Sequence, residues 1–504
     1  MSAGRVARDV VPGGDYRLVV PGLTTWAVTL LIMFGPRWSV WPVMLGGLLA
    51  CAVALLAVAR RWVTWAAVSL VVIASGMATV TAGAMAVRLA AAATHPLTDI
   101  DGKAWVEGVI RDDAVTLGAA SSRVRVGVDV TEISGRTVAP ASAELTGPAE
   151  SWSELAVGQR FSATVRVSPP RRGELLVARL SGVSAPRLSG RPPPHQRLAT
   201  FIRQRLQQIS ARALGVDAAG LLPGLVLGDT SGLDADVRAD FRAAGLTHLV
   251  AVSGSNFAIV CGAAVLAVRM LGASPRLTAV VGAVVVVCFV ILVRPSPSVL
   301  RAAMMGLIGL LALIRSRRAQ ALPALGSAVV LGVLWWPELA ADPGFALSVI
   351  ATAGLVLWSA PVRDRLRGWG VPSGLAELMA MALVAQLVTA PVVAMISGRF
   401  SVVGLPANIA VAPVVGVIAI VGTAAAVVGA LGGPGGLGAL CAELMIRALA
   451  PEMWWMLTCA RVFGRTSWAA MAVPSGLTGA VVVSIVTVCA LGAVGVVWQH
   501  CRRE

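Results

Sequence analysis

Apolar positions dominate three stretches at the start of the chain, near 18–34, 39–59 and 62–87. Runs of this kind approach the roughly 20 residues that a helix needs to cross a bilayer. Polar residues then take over until hydrophobicity resumes near 219. Beyond it, spans are predicted near 246–270, 277–293, 297–314, 319–337, 344–360, 375–396, 402–431, 437–459 and 472–498, about twelve with the first three. Breaks at Pro295, Pro297, Pro343, Pro391, Pro406, Pro413 and from Gly432 to Gly436 predict that some spans are broken or re-entrant. Irregular backbone at membrane depth is tolerated only around a protein-buried or water-filled cavity.

The polar stretch has a different rhythm. Apolar and polar residues alternate over Trp105 to Ile110, Val124 to Val130, Ala141 to Leu145, Phe161 to Val167 and Leu175 to Leu180, with Gly, Ser, Pro and Asp between the runs. Five short strands in that order predict a small barrel of the oligonucleotide/oligosaccharide-binding (OB) kind. Pro192-Pro193-Pro194 closes it, and Leu198 to Leu214, with Arg203, Arg205 and Arg212 on an apolar background, predicts an amphipathic helix lying on the membrane. The expected fold is thus an α-helical polytopic membrane protein of about 10–12 spans with an inserted β-barrel. Its parts are helices over 1–94, the barrel over 95–198, the interfacial helix over 199–218 and a membrane core over 219–504.

Composition narrows the chemistry. With 57% hydrophobic and 13% charged residues, a purely cytosolic enzyme is excluded. The 41 basic and 25 acidic residues leave a net charge of +16, and Lys103 is the single lysine. Ala104 follows it, so no Walker A phosphate loop can be built, and its polar setting does not suit a Schiff base. His95, His195, His248 and His500 stand alone, and the seven cysteines never form C-x-x-C. No metal site, disulfide frame, cofactor or catalytic residue is therefore expected. Arg5, Arg8, Arg17, Arg60, Arg61, Arg269, Arg276, Arg315, Arg317, Arg318, Arg363, Arg365, Arg367, Arg502 and Arg503 fall on one side of the predicted spans; the short loops opposite hold only Arg37, Arg88, Arg294, Arg399, Arg461 and Arg465. The positive-inside rule then puts both termini in the cytoplasm and the barrel outside it. No small-residue cleavage site follows the first apolar run, so that run is expected to be an anchor.

Polar groups inside the greasy core are the candidate site. They run from Gly224 to Asp229 and from Ala244 to Phe257, and at about 100° per residue His248 and Ser255 share a helix face with Asn256 nearby. Polar groups at membrane depth mark a pathway by default, and helix-helix glue is the bland alternative. Arg301, beside Ser296, Pro297 and Ser298, is a further intramembrane charge, with structural neutralisation by Asp342 or Asp229 as one reading. Glu443 and Arg447, four apart, are expected to neutralise each other. A hydrolase with Ser253 as nucleophile and His248 as base fits poorly, because five residues on a helix diverge by about 140° and no acid accompanies them.

Several of these elements together resemble the ComEC family of competence membrane proteins. The resemblance rests on Gly224-Leu-Val-Leu-Gly-Asp229, the Ala244–Gly254 stretch around His248, Arg301 ahead of a basic loop, the Asp342-Pro343…Ser348 segment, and Pro391, Phe400, Asn408 and Pro413. It departs from the family at Ser255 and Asn256, where a second histidine often stands. No His-x-His-x-Asp-His signature occurs up to Glu504, so the metal-dependent nuclease chemistry of longer members is not expected from this polypeptide. The resemblance implies a channel passing single-stranded DNA inward, with path residues Asp229, His248, Ser253, Ser255, Asn256, Arg301, Asp342 and Asn408. From Arg160 to Arg212 eleven arginines stand against Glu174 alone. Such a segment is an electrostatic funnel for a phosphate backbone, with Arg160, Arg171, Arg172, Arg203 and Arg205 its named contacts; binding of anionic headgroups is the alternative. Expected partners are single-stranded DNA, a DNA receptor, a cytoplasmic motor or single-strand-binding protein, membrane lipids and a second copy of the chain. A small-solute or lipid transporter on the same core is the competing function.

Overall fold

The structure is a computed structural model that describes residues 18–117, 122–153, 155–250, 252–314, 320–431, 433, 435–466 and 468–501. Arg5, Arg8, Arg17, Arg315, Arg317, Arg318, Gly432, Pro434, Arg502 and Arg503 lie outside the described residues. The chain opens with α1 (Val19–Phe34), α2 (Val40–Ala59) and α3 (Trp65–Ala93). It then forms β1 (Gly102–Ile110), β2 (Val115–Thr116), β3 (Arg123–Ile133), β4 (Arg136–Pro148), α4 (Ala149–Trp152), β5 (Arg160–Ser168), β6 (Ala178–Gly182) and β7 (Arg187–Ser189). Helices resume with α5 (Pro194–Ala213), α6 (Val216–Leu227), α7 (Ala235–Ala243), α8 (Thr247–Val250), α9 (Gly254–Met270), α10 (Pro275–Val293), α11 (Pro297–Ile314) and α12 (Ala321–Trp335). The last part is α13 (Pro343–Gly368), α14 (Ser373–Ser397), β8 (Arg399–Ser401), α15 (Gly404–Ala430), α16 (Leu437–Ala448), α17 (Ala450–Gly464), β9 (Ala470–Ala472) and α18 (Leu477–Cys501).

Among the described residues, seven helices are long and apolar enough to cross a membrane, within 37–59, 68–93, 275–293, 297–314, 343–368, 373–397 and 404–430. Val19–Phe34, Val216–Leu227, Gly254–Met270, Ala321–Trp335 and Leu477–Cys489 are shorter apolar helices. The molecule is a multi-pass membrane protein. Exposed Trp38 and Trp41 flank one end of α2 and exposed Trp62 and Trp65 the other, the arrangement of an aromatic belt at two bilayer interfaces.

Two predicted spans are broken in the structure. The stretch near 246–270 divides into α8 and α9 because Ser253 adopts an extended backbone (ψ 154) and caps α9, its hydroxyl accepting from the Asn256 amide. The stretch near 437–459 divides at Leu449, two residues before Pro451, whose ring and missing N–H do not fit a helix interior.

The strand order β1-β3-β4-β6-β5, closed by β1 against β5, is a five-stranded barrel; β4 and β6 pair in parallel and the other neighbours antiparallel. This is an OB-like arrangement, with α4 plugging one end. Alternation explains the closure: Val106, Val128, Val130, Leu145 and Val165 point inward and are fully buried, while Lys103, Trp105, Arg160 and Arg166 point outward and are exposed. Trp152 of α4 is wholly buried between Gly147 and Gly182, where any side chain would collide with or crowd its indole.

Most of the membrane helices pack around two large cores, while α14 packs on α13 and on α18 in two smaller clusters. One large core takes residues from α5 to α11 and from α15 to α17; the other joins α1, α2, α3, α12 and α13. Gly422 lets α15 meet Val226 of α6, and Gly429 lets it meet Ile209 of α5. The two cores meet along α11, whose Val299, Ala302 and Ala303 belong to the first and whose Met305 packs on the second.

The amphipathic helix expected over 199–218 is α5, and two features are corrected. It ends at Ala213, and its buried face of Ala199, Leu206 and Ile209 is covered by protein and not by a membrane surface.

Candidate functional site

The barrel sits on the helical bundle through the loops that carry ligand contacts in OB folds, those after the first and fourth barrel strands. In the second of these, between β5 and β6, Gly173 abuts Phe34 at the end of α1 and Leu175 packs on the α1–α12–α13 core. In the first, between β1 and β3, Asp113 pairs with Arg294 at the end of α10 at 3.0 Å. Arg294 also donates to Gln196 of α5 at 3.1 Å, so one guanidinium ties barrel, α5 and α10 together. Burial draws that guanidinium below its ordinary value, and Asp113 opposes the shift.

Charge divides the barrel wall into two sectors. Along β3, β4 and β6 acids and bases neutralise each other: Arg179 reaches Glu144 at 2.8 Å and Glu174 at 3.3 Å, Arg125 reaches Glu144 at 3.7 Å, and Arg111 reaches Asp129 at 3.8 Å. Along β5 and its neighbours the register sets Lys103 opposite Arg166, Trp105 opposite Thr164, Glu107 opposite Ser162, Val109 opposite Arg160 and Ser162 opposite Arg187, so one acid, Glu107, shares this face with the cations. Like charges directly opposite on a sheet are destabilising, so the Lys103–Arg166 pair is a feature the fold alone does not favour. Among the described residues, Arg160, Arg166, Arg171, Arg172, Arg187 and Arg191 have no carboxylate within ion-pair distance. An open cleft of about 550 Å³ lies at the end of this sector, lined by Arg160, Arg191, Gly158, Gly190, Ser189, Val109 and Pro193.

Two arginines of the expected funnel are elsewhere. Arg203 is largely buried, with its Nε 3.9 Å from Asp229 and an Nη donating to the Leu292 carbonyl at 3.5 Å. Arg205 is 5% exposed, donates to Gln208 at 3.2 Å and stacks 5.9 Å from the Phe201 ring centroid. Both fall on the inner half of an amphipathic helix whose apolar face docks on the core, so neither offers a free cation to an outer ligand. Arg160, Arg171 and Arg172 do.

The polar core residues also sort into groups. Asp229 follows the left-handed Gly228 (φ 73) that ends α6, accepts from Ser231 N and Oγ and from Gln207 at 2.8 Å, and neutralises Arg203. It is a turn and ion-pair residue. Asp342 caps α13, accepting from the Phe345 amide at 2.7 Å. Asn408 donates back to the Gly404 carbonyl of its own helix at 2.7 Å. His248 is exposed on α8, and the break at Ser253 separates it from Ser255, so the shared helix face is corrected. The Ser253 hydroxyl is engaged by Ser255 Oγ at 2.7 Å and the Asn256 amide, which leaves the nucleophile reading without support.

The structure does bring Ser253, Ser255 and Arg301 together with Ser298 and Ser348. Gly254 N donates to Ser298 Oγ at 3.1 Å, Ser298 Oγ lies 3.2 Å from Ser348 Oγ, and Arg301 Nε donates to Ser348 Oγ at 2.7 Å. A methyl on Gly254 would strike the Arg301 guanidinium. This cluster from α9, α11 and α13 sits on the seam between the two cores. Neither Asp342 nor Asp229 neutralises Arg301: among the described residues, no carboxylate lies within ion-pair distance of it. Asn256, 3% exposed, points away from the cluster, its amide nitrogen donating to Leu225 O at 3.4 Å.

Sequence reasoning counted Arg166 and Arg187 in the basic run but did not join them with Lys103 as one face, and it missed Asp113 as the partner of Arg294. Period-two alternation along β1 and β5 was the signal for the first; nothing local marks the second.

A family model described as Competence protein matches residues 225–499. Among curated proteins, ComE operon protein 3 of Bacillus subtilis (strain 168) is 24% identical over 212 residues, covering 42% of this chain and 26% of that relative. The matched part thus spans about a quarter of the relative's length. No solved structure matches.

Proposed function

We propose a function from one premise: the chain belongs to the competence protein family. On this reading it acts in DNA uptake, as the membrane conduit that passes single-stranded DNA toward the cytoplasm. Two observations on one chain carry it: an arginine-rich barrel sector without ion-paired carboxylates among the described residues stands on the bundle through the loops that hold ligands in OB folds, and the bundle holds a serine cluster around the buried Arg301. Exposed side-chain cations with Trp105 as the single exposed aromatic among the described barrel residues suit a strand bound by its phosphate backbone, without sequence preference and with strong salt dependence.

The orientation belongs to the same proposal. Arg60, Arg61, Arg269, Arg276, Arg363 and Arg367 fall at helix ends remote from the barrel, and Arg88 is spent on the carbonyls of Leu334 and Trp335. Positive-inside logic then sets the barrel outside the cytoplasm and the termini within it. No step of strand transfer needs a bond to form or break in this chain. Direction comes from a partner that binds or pulls the strand on the far side, a single-strand-binding protein or a motor. Lipids surround the spans, and a receptor delivers the strand to the barrel.

The test is reconstitution. Proteoliposomes holding a sealed-in single-strand-binding protein are given labelled single strands from outside, and added nuclease then removes what has not entered. The proposal expects nuclease-protected label that depends on the membrane protein. Label that binds the vesicles yet stays fully nuclease-sensitive would overturn it, and transport of a small solute without DNA would favour the competing transporter.

A further inference from the structure

We propose that the seam at Arg301 is an anion site built for one phosphodiester. The proposal rests on the strand-path reading and gives that path a specific chemical contact. Arg301 is 7% exposed, in a helix long and apolar enough to cross the membrane. Its guanidinium keeps a full charge out of water with no carboxylate in reach among the described residues. The two acids that sequence placed nearby are otherwise engaged, Asp342 on the Phe345 amide and Asp229 on Gln207, Ser231 and Arg203. An intramembrane charge without a counterion is costly and points to a ligand or pathway role.

The surroundings add positive potential and donors. Arg301 lies in the first turns of α11, its guanidinium touches the first residue of α9, and its Nε partner Ser348 lies in the second turn of α13. The start of α9, a partial positive charge, therefore lies against one buried cation. An arrangement that repels itself is satisfied by an anion. Two hydroxyls border the guanidinium, Ser348 directly and Ser298 through Ser348, and on either side of Gly254 the hydroxyls of Ser253 and Ser255 bridge to each other at 2.7 Å. Ser255 is exposed, so the cluster opens to one side. Gly254 has no side chain at the one place where a methyl would shut the guanidinium out. Planar N–H donors with serine hydroxyls match the non-bridging oxygens of a diester.

A bond that merely struts α11 to α13 needs only the Arg301–Ser348 contact, and the two readings separate on a small probe. The probe is the dinucleotide TpT, with one phosphodiester, against its uncharged methylphosphonate analogue, both titrated against the full chain in detergent. The site predicts saturable binding of TpT and none of the analogue. Arg301→Gln should weaken TpT about thirtyfold, as loss of one partner of a buried charged pair does. Arg301→Lys should keep part of the affinity, and Arg447→Gln, in an ion pair that touches neither the barrel nor the seam, should leave it unchanged. If Arg301→Gln does not fold, Gly254→Ala gives the same comparison by steric exclusion. Equal binding of TpT and its analogue, or TpT binding indifferent to both substitutions, would overturn the site. Vesicle entry is a separate readout: wild-type protein that binds TpT through Arg301 but admits no strand would keep the anion site and defeat the strand-path reading.

Discussion

The barrel wall and the seam at Arg301 both present arginine to an expected polyanion, and they differ in what surrounds the charge. On β5 and β7 the guanidinium groups are exposed and water solvates them, so each is nearly interchangeable with its neighbours and salt screens them all. At the seam one guanidinium is almost wholly enclosed, and no neighbour can replace it. Under the proposed function the same residue type captures in one place and discriminates in the other, and the difference is local dielectric. Cations on the barrel should set how often a strand arrives, and Arg301 should set whether it is a diester that passes.

The comparison can be broken first at the barrel's foundation. Trp152→Ala removes the plug under the barrel and should cost about 3–5 kcal/mol. Limited proteolysis of the full chain should then cut between 102 and 189 while the helical bundle resists. Uniform digestion of both regions would show that the barrel and bundle are one cooperative unit. Asp229→Ala comes next. It leaves Arg203 without its acid and Gln207 without an acceptor, at a cost on the order of 3 kcal/mol, and protein abundance should fall in step with any loss of uptake. Unchanged abundance would make Asp229 a path residue again.

A smaller effect on stability, but a sharper one on binding, is expected from Arg160→Gln, Arg166→Gln and Arg187→Gln together. Stability should move by less than about 0.5 kcal/mol, while the slope of log affinity for a single strand against log salt flattens by about 0.7 for each phosphate left without its arginine. An unchanged slope would remove capture from this face. The smallest effect should be Glu443→Gln, which breaks an exposed i, i+4 pair with Arg447 worth about 0.3–0.5 kcal/mol and touches neither region. A large loss of uptake there would mean that the two regions were wrongly chosen.

The barrel was legible because its signal is periodic and local: alternation over Trp105 to Ile110 and Phe161 to Val167 fixes which side chains enter the core, and closure follows. The long spans were legible because continuous apolar runs have one use. The seam was only half legible. Sequence singles out Ser253, Ser255 and Arg301 as polar residues in greasy surroundings, but their meeting depends on three helices crossing, which no local pattern encodes. His248 was misplaced because a single serine turned to capping breaks the helix on which the argument rested. Arg203 and Arg205 were misplaced for a related reason: composition counts their charges, and only packing shows which face of α5 is covered.

Chemical capture of a strand at the seam tests the central claim most directly. With the seven native cysteines replaced, Ser255→Cys, Ser348→Cys and the exposed α10 position Val284→Cys each receive a single strand carrying a thiol-reactive group, added from the barrel side of proteoliposomes. The account predicts covalent capture at 255 and 348, suppressed by Arg301→Gln, with none at 284. Capture at 284 equal to that at the seam, or capture at 255 and 348 indifferent to Arg301, would contradict it.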